Sequence, residues 1–168
     1  MSPTVSSFGF PRMVNEVSAR LVAAGTALLG LACLALGQPW IAALLALEFL
    51  ARVLTGPRFE PLAVLVTRVI TPGLPLAERP TPGPPKRFAQ GIGFVVTLVA
   101  SVLFLAGATT AGYALIAMLV VFATLESTIG LCVGCKAFAL LMRVGVVSES
   151  VCEECNDLSL RARRLGVG

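Results

Sequence analysis

Charged residues vanish from two long stretches of the chain. None lies between Leu21 and Leu47, and none between Phe88 and Leu125. Gly37-Gln38-Pro39 interrupts the first stretch with helix-ending residues, so it predicts two helices, over 17–36 and 40–54, joined by a tight turn. Gly107-Ala108-Thr109-Thr110-Ala111-Gly112 divides the second stretch and predicts helices over 88–106 and 113–141. A helix rises 1.5 Å per residue, so about 20 residues cross a hydrocarbon core of about 30 Å. The expected fold class is all-α: a polytopic membrane protein, a four-transmembrane-helix bundle built from two helical hairpins, occupying 1–143. The second helix is the weakest span, being short and containing Glu48 and Arg52.

The remaining segments read differently. The connection over 55–87 holds eight of the eleven prolines, a density that disfavours long helix and favours extended chain. Within it, 61–70 is apolar but short, which predicts an interfacial or re-entrant helix. The tail over 144–168 is more polar and is expected in the cytosol. The first apolar run exceeds a signal-peptide core of about 7–15 residues, so a retained span is expected. All thirteen Lys and Arg lie in the N-terminal segment, in the 55–87 connection and its flanks, or beyond Cys135. The two short turns carry none. Basic residues stay cytoplasmic, which places both termini on the cytoplasmic side of the membrane.

Composition agrees. Hydrophobic residues are 57% and charged residues 13% of the chain, with mean hydropathy +0.90. Those values exclude a disordered chain and an ordinary cytosolic globule. The net charge of +4 is spread as a topology signal, and no nucleic-acid partner is expected. There is no histidine, which excludes Ser-His-Asp and Cys-His catalysis and His-based zinc sites.

The candidate chemistry is cysteine chemistry. Cys132-Val133-Gly134-Cys135 is followed, sixteen residues on, by Cys152-Glu153-Glu154-Cys155. Two CxxC pairs so spaced fit a four-thiolate zinc site formed by Cys132, Cys135, Cys152 and Cys155. They fit equally a thiol relay, with Cys132 and Cys135 as the bundle pair and Cys152 and Cys155 as the shuttle pair. The cytosol permits metal binding and catalytic cycling but opposes a static disulfide. On a helix over 113–141 the first pair shares a face at i and i+3, near the cytoplasmic membrane edge. There it sits towards the helix C-terminus, where the dipole opposes a thiolate by about 0.3–1 kcal/mol. Cys33, in the first helix, reads as packing. Glu126 lies about one and a half turns before Cys132. It is a candidate proton acceptor in the relay, or else an interhelical partner for Arg20 or Arg52. Glu48 and Arg52 stand in the favourable i,i+4 order for an ion pair. Lys86-Arg87 reads as a topology and headgroup anchor.

Gly56-Pro57-Arg58-Phe59 with Pro61-Leu62-Ala63, then Lys86-Arg87-Phe88-Ala89-Gln90-Gly91-Ile92-Gly93, then Gly130-Leu131-Cys132-Val133-Gly134-Cys135-Lys136 resemble the bacterial integral-membrane family DUF4395 over roughly 12–142. That family is a domain of unknown function. Its association with thioredoxin-like and sulfur-transfer proteins implies a thioredoxin-like or rhodanese-like partner. A CxxC on a bundle helix also resembles small quinone-linked thiol oxidoreductases, which implies a quinone as a cofactor. Three functions follow as expectations: a cytoplasm-facing thiol-disulfide or sulfur relay; a non-catalytic scaffold or complex subunit with a structural zinc; and an oligomeric transporter using Glu48 and Glu126.

Overall fold

The computed structural model describes residues 13–56, 60–73 and 80–146. Helix α1 runs Glu16–Leu36. Asn15 caps it, its side chain accepting from the Val17 amide at 3.0 Å, and Gly37 ends it in the left-handed conformation at φ 61°. Helix α2 runs Trp40–Thr55, directly after Pro39, and ends at Gly56, whose φ is 64°. Helix α3 spans Pro61–Gly73 and contains a π-helical turn at Val66–Ile70. Proline stands at its first position, and Glu60 caps it by accepting from the amides of Leu62 and Ala63. Helix α4 runs Gly83–Leu105, α5 Thr109–Ile129 and α6 Val133–Arg143.

Three of these helices, α1, α4 and α5, are long and apolar enough to cross a membrane. Together with α2 they close a ring of contacts: α1 packs on α2 and α5, and α4 packs on α2 and α5. Helix α6 folds back onto α4. The ring interior holds Cys33, Ala42, Leu45, Ala100 and Ile116, each at 0% exposure. Glycines let the helices approach: a Cβ on Gly30 would meet Val120 at 2.5 Å, and one on Gly93 would overlap the Phe49 ring. Leu28, Leu47, Val95, Val102 and Val121 point outward and are exposed. An apolar exterior of this kind is unfavourable in water and ordinary in lipid.

Four sequence expectations change. The predicted helix over 88–106 starts at Gly83, inside the proline-rich connection. Pro84 and Pro85 occupy its first turn, where no amide is needed for an intrahelical bond. The predicted helix over 113–141 is two helices, α5 and α6, separated at Gly130–Cys132. The apolar segment over 61–70 is helical and extends to Gly73. Its Ala63 and Val66 are buried against Val22 of α1. The fold is mostly helical but includes a short antiparallel ribbon, β1 (Met13–Asn15) with β2 (Pro80–Pro82), in register Met13↔Pro82, Val14↔Thr81 and Asn15↔Pro80. Proline's fixed φ suits such an edge strand, and Thr81 supplies the amide its neighbours lack.

A candidate dithiol site at the start of helix α6

The site depends on where α5 stops. Gly130 adopts φ 71°, and its amide returns to the carbonyls of Glu126 and Leu125. Arg20 of α1 reaches the same end. Its Nε donates to the Ser127 carbonyl at 3.1 Å and its Nη2 to the Thr128 carbonyl. A guanidinium on the last carbonyls of a helix satisfies bare acceptors and complements the negative end of the dipole. Glu16 closes the corner, with Oε1 3.1 Å from where a Gly130 Cβ would stand. A glycine in the left-handed region and an arginine from another helix thus end α5 together.

Leu131 then leads to Cys132, the N-cap residue of α6, with φ −87° and ψ 107°. Cys135 lies in the first turn of α6, and the Lys136 amide closes that turn on the Cys132 carbonyl at 3.1 Å. This reverses one expectation. The pair sits at a helix N-terminus, where the dipole favours a thiolate by about 0.3–1 kcal/mol instead of opposing it. The pair is a free dithiol, with Cys132 buried and Cys135 half-buried. Cys135 donates its S–H to the Cys132 sulfur, and this holds the Cys132 thiol below the ordinary thiol range against the opposing effects of burial and Glu126. The same bond, with burial, pushes the Cys135 thiol well up. The two sulfurs therefore differ in kind. Cys132 is the buried sulfur that ionises the more readily, and Cys135 the more accessible one that holds its proton.

Lys86 completes the cluster. It sits in the first turn of α4, buried, with Nζ on Glu126 Oε1. Glu126 is thus an interhelical partner, as one expectation had it, but its base is neither Arg20 nor Arg52. The Lys86 ammonium also helps to lower the Cys132 thiol. Reading Lys86 as a surface anchor missed this role. The signal was periodicity: Lys86, Gly93, Thr97 and Ala100 fall on one helical face, the buried one, while Arg87 is exposed.

Gly134, inside the CxxC, holds the pair against α4. A Cβ there would lie 2.5 Å from the Ala89 Cβ and 2.6 Å from its Cα. Phe88 and Phe138 add an aromatic contact between α4 and α6, with ring centroids 5.4 Å apart. The expected Glu48–Arg52 pair forms, with Arg52 Nη2 3.1 Å from Glu48 Oε2. Arg52 also donates to Thr26 at 3.0 Å and to Glu60 at 3.3 Å, so it ties the cap of α3 to α1 and α2. Between this charged cluster and the dithiol lies a cavity of about 130 Å³. Arg52, Phe49, Gln90, Phe122, Glu126 and Cys132 lie on its wall.

Cys33 is fully buried, its thiol donating to the Gln38 carbonyl at 3.4 Å in the α1–α2 turn, in keeping with a packing role. Cys152 and Cys155 lie outside the described residues. Among the described residues no three Cys, Asp or Glu side chains gather into a group that could hold a metal ion. No curated protein and no solved structure matches the chain. Residues 14–143, which include α1 to α6 and the whole dithiol cluster, match the family model described as a domain of unknown function, DUF4395, and the chain belongs to that family.

Proposed function

We propose that this protein is a membrane thiol relay. In this reading α1, α2, α4 and α5 cross the inner membrane of a bacterium as two hairpins, with both termini cytoplasmic. Helix α3 then lies at the cytoplasmic interface, and the dithiol faces the cytosol. The observation that carries the reading is the CxxC at the start of α6, with Cys132 held as the better anion by the Cys135 thiol. The partner is a thioredoxin-like or rhodanese-like protein. Cys152 and Cys155 act as the shuttle pair between it and the bundle pair.

The asymmetry of the pair assigns the steps. With Cys132 and Cys135 joined, an incoming thiolate attacks Cys135, the more accessible sulfur. The Sγ–Sγ bond breaks, and Cys132 leaves as a thiolate. A sulfur with a lowered pKa is the better leaving group in such exchange. The partner's second thiolate then attacks the mixed disulfide at its own sulfur and frees Cys135. The partner is oxidised by two electrons and the pair is reduced by two. Glu126, held by Lys86, stands beside the pair to buffer the proton that Cys135 takes up.

The test is trapping. Cys132→Ser removes the resolving sulfur, so a partner's disulfide captured at Cys135 persists as a covalent adduct on non-reducing gels. Cys132→Ser and Cys152→Ser chains that form no adduct would sink the relay. So would about one zinc per chain in protein purified without chelator, because four thiolates committed to a metal are a structural staple.

A further inference from the structure

Charge is sorted at one end of the bundle. Glu48, Glu60 and Glu126 are held in ion pairs with Arg52 and Lys86. Arg68 of α3, Arg87 of α4, and Lys136 and Arg143 of α6 are exposed and form no ion pair among the described residues. The chain's one Trp and one Tyr mark the opposite end: Trp40 opens α2, and Tyr113 lies early in α5. Interfacial aromatics and cations of this kind bracket a bilayer. Helix α1, at 21 residues, covers about 30 Å between the two ends.

Helix α6 lies at the cationic end, and its two faces differ. Gly134 and Phe138 meet α4. Lys136, Leu140 and Arg143 follow at i, i+4 and i+7 on the opposite face, which Val144 continues. Leu140 is 61% and Val144 69% exposed. An isolated helix of 11 residues is marginal in water, so α6 depends on what its faces meet. Two observations say what covers the outer one. The chain has no acidic residue between Glu126 and Glu149, so the stripe is purely cationic and fits an anionic surface. Its cations stand among exposed apolar residues, and the same end exposes Ile129 and Leu131, just where α5, a helix long and apolar enough to cross a membrane, stops. An acidic protein surface would match the charge but leave Leu140 and Val144 without apolar partners. A lipid leaflet matches both, because Lys and Arg lay their stems on apolar surface and reach outward with the charge.

We infer that α6 is an in-plane membrane helix that binds an anionic phospholipid surface: Lys136 and Arg143 take the headgroup phosphates, and Leu140 and Val144 enter the acyl boundary. The inference rests on reading α1, α2, α4 and α5 as membrane spans, and not on the thiol relay. Seating α6 steadies the helix whose first turn carries the dithiol.

The test places the full-length chain in nanodiscs of phosphatidylcholine alone and in nanodiscs of equal phosphatidylcholine and phosphatidylglycerol. Hydrogen exchange, read by mass spectrometry, compares α6 with the middle of α5. Exchange in α6 should slow about five- to twentyfold in the anionic discs, and that in the middle of α5 should not change. High salt should cancel most of the gain. The double variant Lys136→Gln with Arg143→Gln should exchange like the parent in phosphatidylcholine and lose the response to phosphatidylglycerol. Leu140→Gln, which keeps both cations, should reduce the response. Equal α6 exchange in the two lipids overturns the inference, as does a double variant that responds like the parent. Polyglutamate that slows α6 in phosphatidylcholine discs as much as phosphatidylglycerol does would assign the face to an acidic protein and overturn the lipid. Alkaline carbonate separates the two failures. A chain that it strips from phosphatidylcholine vesicles has no spans, and the inference falls with that reading. A chain that resists it, with α6 indifferent to lipid charge, keeps its spans and refutes the α6 seat alone.

Discussion

Replacing Gly134 by alanine should push apart the two helices that hold the dithiol. A Cβ at this position would stand 2.6 Å from the Ala89 Cα, a backbone atom that cannot rotate away. Ordinary contact begins near 3.4 Å, so α6 must retreat from α4 by about 0.8 Å. Overpacking of this kind costs about 1–3 kcal/mol. Alanine also gains up to about 1 kcal/mol over glycine from helix propensity, which would blur a single measurement. Gly91 supplies the control. It lies in α4 with nothing within 4 Å of its would-be Cβ. Gly91→Ala should therefore show the propensity gain alone. The difference between the two variants isolates the packing term, and Gly134→Ala should be the less stable by about 1–3 kcal/mol. The assay is thermal or denaturant unfolding in detergent, read together with the pH profile of Cys132 alkylation. Retreat of α6 carries Cys132 away from Lys86 and Glu126, so that profile should move as well. Equal unfolding midpoints for Gly134→Ala and Gly91→Ala would refute the claim that the CxxC glycine is required by the α4–α6 contact.

Three further outcomes are expected. Cys135→Ala removes the donor that lowers the Cys132 thiol, so the alkylation midpoint of Cys132 should rise towards the ordinary thiol value of about 8.5; Cys135→Ser, which keeps a hydroxyl donor, should move it less. Lys86→Met and Glu126→Leu should each destabilise the chain by leaving a poorly solvated charge without its partner, whereas the double variant should be less destabilised than either single one, as a double-mutant cycle in unfolding would reveal. Arg20→Met should strip the α5 carboxyl end of its bonds and cost about 1 kcal/mol, with hydrogen exchange rising at Gly130 and Leu131 and not in the middle of α5.

What the sequence determined by itself was local. The uncharged runs, the Gly37-Gln38-Pro39 turn and the glycine at 107 locate the long helices because transfer energy and backbone conformation act residue by residue. The i,i+4 spacing of Glu48 and Arg52 foretold their pair for the same reason. Gly130 lies inside an apolar run, where a lone glycine does not by itself end a helix. Its force comes from Arg20, which arrives from a helix more than a hundred residues earlier in the chain.

Tertiary structure decided the rest. Whether a basic residue before an apolar helix snorkels to the surface or turns inward depends on which neighbour its first turn meets. Lys86 meets Glu126 because α4 packs on α5, and Arg52 meets Glu60 because the cap of α3 settles against α2. The ribbon between 13–15 and 80–82 joins two segments with no shared pattern. The nature of the dithiol followed from the same packing. Two cysteines three apart are present in the sequence whichever end of a helix they occupy. The break at Gly130 moves them from the negative end of one dipole to the positive end of another. That reversal, set by one left-handed glycine and one guanidinium from α1, places the pair where a helix dipole favours a thiolate and not where it opposes one.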